Sequence, residues 1–138
     1  MPEYWPVFDP DDPAVMGDDY LDLALFDAPP FPDIFIDAGL APLEAYIGLS
    51  QAEFDEMNEA IPEHMRRPYV PERDGPWFPP EAMLELCAAL RAALRDQPEL
   101  FTAWPNMAEH TTELLEDTER VFNRAVAQQV AFRISVSP

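Results

Sequence analysis

The stretch "VAFRISV", residues 130–136, places Val130, Phe132, Ile134 and Val136 on one side and Ala131, Arg133 and Ser135 on the other. Period-two alternation of β-branched and aromatic residues predicts a strand with one apolar face. A lone strand leaves its backbone donors and acceptors unpaired, so this one needs partners elsewhere in the chain. The segment before it has a different period. A seam of Met107, Thr111, Leu114, Thr118, Val121 and Ala125, widened by Leu115 and Phe122, predicts a helix over 107–128. Asn106 stands as its N-cap with Glu109 in the box position, and Glu116 and Arg120 are spaced as an external i, i+4 pair.

Two more helices precede it. Pro80 suits a first turn, Met83, Cys87, Leu90 and Leu94 line one face, and Gln97-Pro98 ends a helix over 80–96. Ser50 and Glu53 have capping-box spacing, with Leu49 and Phe54 placed as a hydrophobic staple. Phe54, Met57 and Ile61 give that helix, 51–61, its apolar stripe, and Pro62 stops it. Between these helices "PEHMRRPYVPERDGPWFPP", residues 62–80, is a proline-rich connection expected to be anchored by Trp77 and Phe78.

The partners of the closing strand are expected at the other end of the chain. Residues 2–48 hold short apolar runs, "YWPVF" (4–8), "YLDLALF" (20–26) and "DIFI" (33–36), between turn signals, and these read as strands. "LEAYIGL" (43–49) reads as a strand or as the lead-in to the first helix. Proline keeps such strands short or at edges. The expected fold is one α+β domain over 1–138, with a small, mainly antiparallel sheet from both chain ends packed with about three helices.

The charge pattern bears on function. The net charge of −19 exceeds the magnitude of about 2–8 that keeps a small domain soluble. Residues 1–63 carry sixteen acids and no Lys or Arg, whereas residues 64–138 carry eleven acids against all eight arginines. An acidic surface repels nucleic acid and anionic lipid and attracts basic protein surfaces. Direct binding of nucleic acid or membrane is therefore not expected. The expected partner-binding face comprises Asp9, Asp11, Asp12, Asp18, Asp19, Asp22, Asp27, Asp33 and Asp37, joined by Glu53, Asp55, Glu56 and Glu59. Trp5, Phe8, Tyr20, Phe26, Phe31 and Phe35 are interleaved with these acids, and any left exposed would supply apolar anchors inside an electrostatic rim.

Templates for catalysis are missing. The chain has no Lys, which excludes Schiff-base and P-loop lysine chemistry, and no GxGxxG, HExxH or GxSxG motif. Cys87 is alone and sits on a helix seam, which excludes a disulfide framework; His64 and His110 lie in unrelated contexts. An EF-hand begun at Asp12 brings Gly17 to position 6 but puts Ala14, Met16 and Leu23 at ligand positions 3, 5 and 12. No catalytic residue, metal ligand or cofactor is assigned. A calcium-dependent module on "DPDDPAVMGDD" (9–19) and a mimic of nucleic acid stand as alternatives. The N-terminus lacks a signal-peptide pattern and no apolar run reaches membrane-spanning length, so a cytoplasmic protein is expected.

"GPWFPPEAMLELCAALRAAL" (75–94) and "TELLEDTERVFNRAVAQQVAFRISVSP" (112–138) resemble the C-terminal half of small bacterial immunity-type proteins, inhibitors encoded beside polymorphic or secreted toxins. The resemblance covers about half the chain: an aromatic-proline lead-in, two amphipathic helices and a closing strand. It implies a non-enzymatic protein that forms a one-to-one complex with a toxin, presenting its acidic first half to a basic cleft. It assigns no individual functional residue.

Overall fold

A computed structural model describes residues 2–137. Two strands, β1 (Glu3–Asp9) and β2 (Ala131–Ser137), pair antiparallel, with Glu3 opposite Ser137 and Asp9 opposite Ala131. Six helices lie between them: α1 (Pro13–Met16), α2 (Phe31–Asp37), α3 (Gln51–Glu59), α4 (Pro71–Asp74), α5 (Glu81–Asp96) and α6 (Met107–Gln128). The α+β class and the sheet built from both chain ends are as expected. The helix number is not: six replace three, although α1 and α4 are single turns.

The closing strand forms where its alternation puts it, but both of its faces are covered. On one face Phe132 and Ile134 are buried, and the Phe132 ring meets Phe122 of α6 edge-on at 4.9 Å. Phe8 of β1 reaches the same Phe122 ring at 5.5 Å. The opposite face carries Arg133 and Ser135, which are also buried. There Ser135 Oγ donates to Glu53 of α3 at 3.0 Å, and the Trp77 ring lies over the Arg133 guanidinium. The edge of β2 away from β1 is bridged by Ile47 and by Phe78, which exchanges both backbone hydrogen bonds with Phe132 at 2.8 and 2.9 Å. β2 thus lies centrally, between β1 and two bridged segments, and on its outer edge Phe132 N, Phe132 O and Ile134 O have backbone partners.

"YLDLALF" and "DIFI" are not strands. Ala24–Asp27 is a 3₁₀ turn and Phe31–Asp37 is α2. The Asp22 side chain supplies the reason for the first: one of its oxygens takes the amides of Tyr4 and Ala24, both at 3.0 Å, and turns the chain. For the second, Pro32 sits in the first helical turn and Phe31, Ile34 and Phe35 bury one helical face. Phe26, Phe31, Phe35 and Phe101 then form an aromatic cluster with ring separations of 5.9–6.3 Å. "LEAYIGL" is the lead-in of the two alternatives, a 3₁₀ turn (Leu43–Tyr46) whose continuation reaches β2 through Ile47.

The capping box of α3 is present in both directions: Ser50 N donates to Glu53 Oε1 at 3.0 Å and Glu53 N to Ser50 Oγ at 3.1 Å. The helix ends at Glu59, short of Ile61, since Pro62 disfavours helical backbone in the residue before it, and Arg66 folds back to cap the end by donating to the Ile61 and Glu59 carbonyls. α5 and α6 pack through Met83, Leu86, Cys87 and Leu90 against residues such as Leu115, Val121 and Phe122, all buried. Asn106 precedes α6 but does not cap it with its side chain. Its φ of 62° is left-handed, a conformation that Asn tolerates, and its side chain makes no cap bond. The pair Glu116–Arg120 is not formed either, since Arg120 turns to Asp117 one turn back and to Asp19 across the fold. At the far end Gln129 is left-handed and Val130 N bonds Ala125 O at 3.1 Å, a Schellman closure that feeds the chain into β2.

The 62–80 connection is tied down by its own arginines. Arg67 forks onto Asp74 at 2.8 and 2.9 Å while its guanidinium lies 4.9 Å from the Phe54 ring centroid. Val70 N also donates to Asp74, at 2.8 Å. The Arg67 fork, with that amide, holds the Asp74 carboxyl well below its ordinary 3.8. A depressed folded-state pKa gives stabilisation that is whole above the unfolded value, about 3.9, and fades as pH falls below it. Asp74→Asn is expected to lower the urea midpoint at neutral pH. The gap from wild type should narrow steadily in midpoints measured below about pH 4. An equal gap at both ends of that range would show that the fork does not act through the carboxylate charge.

Candidate functional site

β1 pairs with β2 along one edge only, and the other edge builds the site. Tyr4 N faces outward to Asp22 Oδ1, and Tyr4 O accepts from Leu23 N at 2.7 Å. Pro6, two residues on, faces the same edge by alternation, where its missing N–H costs no ladder bond. Residues 19–23 thereby lie along the first half of β1. α6 pins this segment from behind. Arg124 Nη1 donates to Val15 O, Met16 O and Asp19 Oδ2 at 3.2, 3.1 and 2.9 Å. Gly17 permits the approach, having φ of +59° and space for a Cβ only 3.0 Å from that same nitrogen.

Between the β1 edge and this segment runs a groove of about 430 Å³, lined by Glu3, Tyr4, Trp5, Pro6, Met16, Asp19, Tyr20, Leu21 and Asp22. Leu21 closes its floor onto the core. Tyr20 is 73% exposed and Trp5 36%, large apolar surfaces with carboxylates on either side. Desolvation pushes the Asp19 carboxyl up, but the Arg124 and Arg120 guanidiniums outweigh it and hold the group below its ordinary 3.8. The Tyr20 phenol is held above its ordinary 10.0, first by desolvation and then by the neighbouring Glu3 and Asp22 charges. Tyr4 is raised as well, first by its 2.8 Å hydrogen bond to Asp27 and then by burial.

The thirteen expected acids divide into three groups. Five are occupied by hydrogen bonds: Asp12 caps α1, Asp22 holds the turn described above, Asp27 receives the Tyr4 hydroxyl, Glu53 completes its capping box and binds Ser135, and Asp55 accepts from Gln51 Nε2 on the exposed side of α3. One, Asp19, is paired with two arginines of α6. The remaining seven have exposed positions: Asp9, Asp11 and Asp18 near α1, Asp33 and Asp37 on α2, and Glu56 and Glu59 on α3. The groove collects Asp19 and Asp22 from the expected set and adds Glu3, which charge counting over the Asp-rich stretch passes over. Of the six interleaved aromatics, Phe8, Phe26, Phe31 and Phe35 are core, which leaves Trp5 and Tyr20 as surface anchors.

Residues weighed for chemistry stand apart from this groove. Cys87 is fully buried, and burial, with the nearby Glu119 charge, pushes its thiol up to about 12. His64 is exposed on a 3₁₀ turn, and the His110 ring rests 5.4 Å from Trp104 on the surface of α6. Among the described residues no three His, Cys, Asp or Glu side chains are grouped to share a metal ion, and no helix is long and apolar enough to cross a membrane. Comparison of the chain with protein-family models, with curated proteins and with solved structures finds no match.

Proposed function

We propose that the protein is a non-enzymatic binding protein that docks on a basic protein surface through the groove beside β1. In this reading the partner is a bacterial toxin, and the chain is its immunity protein. The observation that carries it is the placement of Trp5 and Tyr20, exposed, among Glu3, Asp19 and Asp22. Aromatic anchors ringed by charge of one sign are the usual composition of an interface that binds the opposite sign. The first 63 residues contain no Lys or Arg, and among the described residues the cations that pair with the groove's carboxylates are Arg120 and Arg124, both engaged by Asp19. A mimic of nucleic acid would instead set carboxylates in file along an extended surface, without aromatic anchors between them.

The test uses the purified product of the gene adjacent to this one. A one-to-one complex that abolishes the product's toxicity is expected. Its association rate should fall by about tenfold or more between low and high salt, as for encounters steered by opposite charge. An association rate indifferent to salt would remove the acidic surface from the explanation.

A further inference from the structure

Arg133 is the anomaly of this chain. Among 27 acids and eight arginines, Arg67, Arg73, Arg91, Arg95, Arg120 and Arg124 each meet a carboxylate within 4.0 Å, and Arg66 is exposed and binds carbonyls. Arg133, 8% exposed, meets none among the described residues. Against desolvation, hydrogen bonds from Ser50 and Ser135, and then the Arg133 charge, hold the Glu53 carboxyl below its ordinary 4.5. Glu53 is thus a nearby counter-charge, but no carboxylate among the described residues bonds the guanidinium itself. Nη1 donates to Gly75 O at 3.0 Å, and the Trp77 ring centroid lies 4.1 Å from the guanidinium carbon. The arginine is fitted closely. A Cβ on Gly48 would come within 2.9 Å of Arg133 Cδ, and one on Gly75 within 2.7 Å of Nη1 and 2.1 Å of Tyr69 Oη. Nε and Nη2 donate to nothing among the described residues.

Arg133 borders a shallow, open cavity of about 560 Å³, also lined by Gln51, Tyr69, Glu72 and Trp77. Gln51 opens α3, and its backbone N–H finds no acceptor among the described residues, because the capping box serves Ser50 and Glu53. A guanidinium edge and a helix-start amide at one cavity are complementary to an oxyanion. Glu72 limits the charge that fits: its carboxylate already offsets the arginine and opposes each further negative charge, so a dianion is disfavoured more than a single carboxylate held by the guanidinium fork. The Tyr69 and Trp77 rings give the cavity flat apolar walls, and its volume exceeds a bare carboxylate.

We propose that this cavity binds a small carboxylate carried on an aromatic body, with Arg133 taking the carboxylate oxygens and the ring lying against Trp77. This site is separate from the groove beside β1 and does not depend on the function proposed above. The experiment titrates the full chain with sodium benzoate, benzamide and inorganic phosphate, following the Trp77 indole N–H and the Gly75 and Gln51 amides by NMR. Benzoate is expected to shift those signals saturably, with benzamide and phosphate weaker. Arg133→Lys keeps the charge but loses the fork and should weaken benzoate binding roughly tenfold. Gln51→Pro removes the free amide, along with the exposed bond from Gln51 Nε2 to Asp55, at a position where helices accept proline, after a Ser50 already extended at ψ 165°; set against Gln51→Ala, it should weaken benzoate binding roughly threefold with the fold intact. No saturable shift with benzoate overturns the proposal, as does an equal response to benzamide or tighter binding of phosphate. Folded Arg133→Lys binding benzoate as wild type does, or folded Gln51→Pro binding it as Gln51→Ala does, would overturn it too.

Discussion

Phe132→Ala is expected to cost about 3–5 kcal/mol, measured as the loss of unfolding free energy in urea, the largest effect of any single truncation in the sheet. The ring is fully buried in the central strand and has aromatic neighbours on three elements: Phe122 of α6 at 4.9 Å, Tyr46 at 5.7 Å and Phe78 at 6.1 Å. Each such pair adds roughly 0.5–1.5 kcal/mol beyond the area it buries. The hole left by alanine cannot close easily, because Phe132 is bonded through its backbone to Phe78 and paired in register with Phe8. Domains of this size have about 5–15 kcal/mol in total, so the variant should populate unfolded chain under conditions where wild type does not. Truncation of the half-buried Leu94 gives the comparison; a Phe132 variant no worse than that one would remove the closing strand from the centre of the fold.

That strand is the part of the architecture most legible in the sequence, since its burial pattern and its periodicity are the same signal. The two long helices are legible for the same reason: Met83, Cys87 and Leu90, and Met107, Thr111, Val121 and Ala125, recur at helical spacing and are buried. The Asp-rich first half reads less well because its structure is decided by side chains that bond backbone. Asp22 turns "YLDLALF" away from the strand that its apolar residues alone describe, and Phe31, Ile34 and Phe35 show helical spacing only once Pro32 is placed in a first turn. Arg133 is the instructive failure on the closing strand itself. Alternation assigns it to the outward face, and only tertiary structure shows α3 and the Trp77 segment covering that face.

The charge asymmetry between the halves is plain in the sequence, yet the role of each carboxylate is not. Capping is local, and the Ser50–Glu53 box can be read from spacing alone. Asp19 is different, for its partners Arg120 and Arg124 lie 101 and 105 residues away and no local pattern announces them. Counting acids therefore overstates the surface charge free to meet a partner, by the six residues that already accept hydrogen bonds or ion pairs within the chain.

The division of these acids sets up the second large effect. In the complex with the adjacent gene's product, Tyr20→Ala and Trp5→Ala are each expected to weaken binding by roughly thirtyfold or more, almost wholly through faster dissociation, as truncated interface anchors do. Tyr20 is 73% exposed in the free protein, so its removal should leave the urea midpoint nearly unchanged and isolate the loss at the interface. Neutralising Asp55, Glu56 and Glu59 together on the exposed face of α3 should act differently. Charges away from the contact steer encounter, so this triple variant should slow association and flatten its salt dependence while leaving dissociation near wild type. Aromatic truncation and charge neutralisation thus separate anchoring from steering in one pair of rate constants. If the α3 triple variant speeds dissociation and Tyr20→Ala does not, the partner sits on α3 and the groove beside β1 is not the docking face.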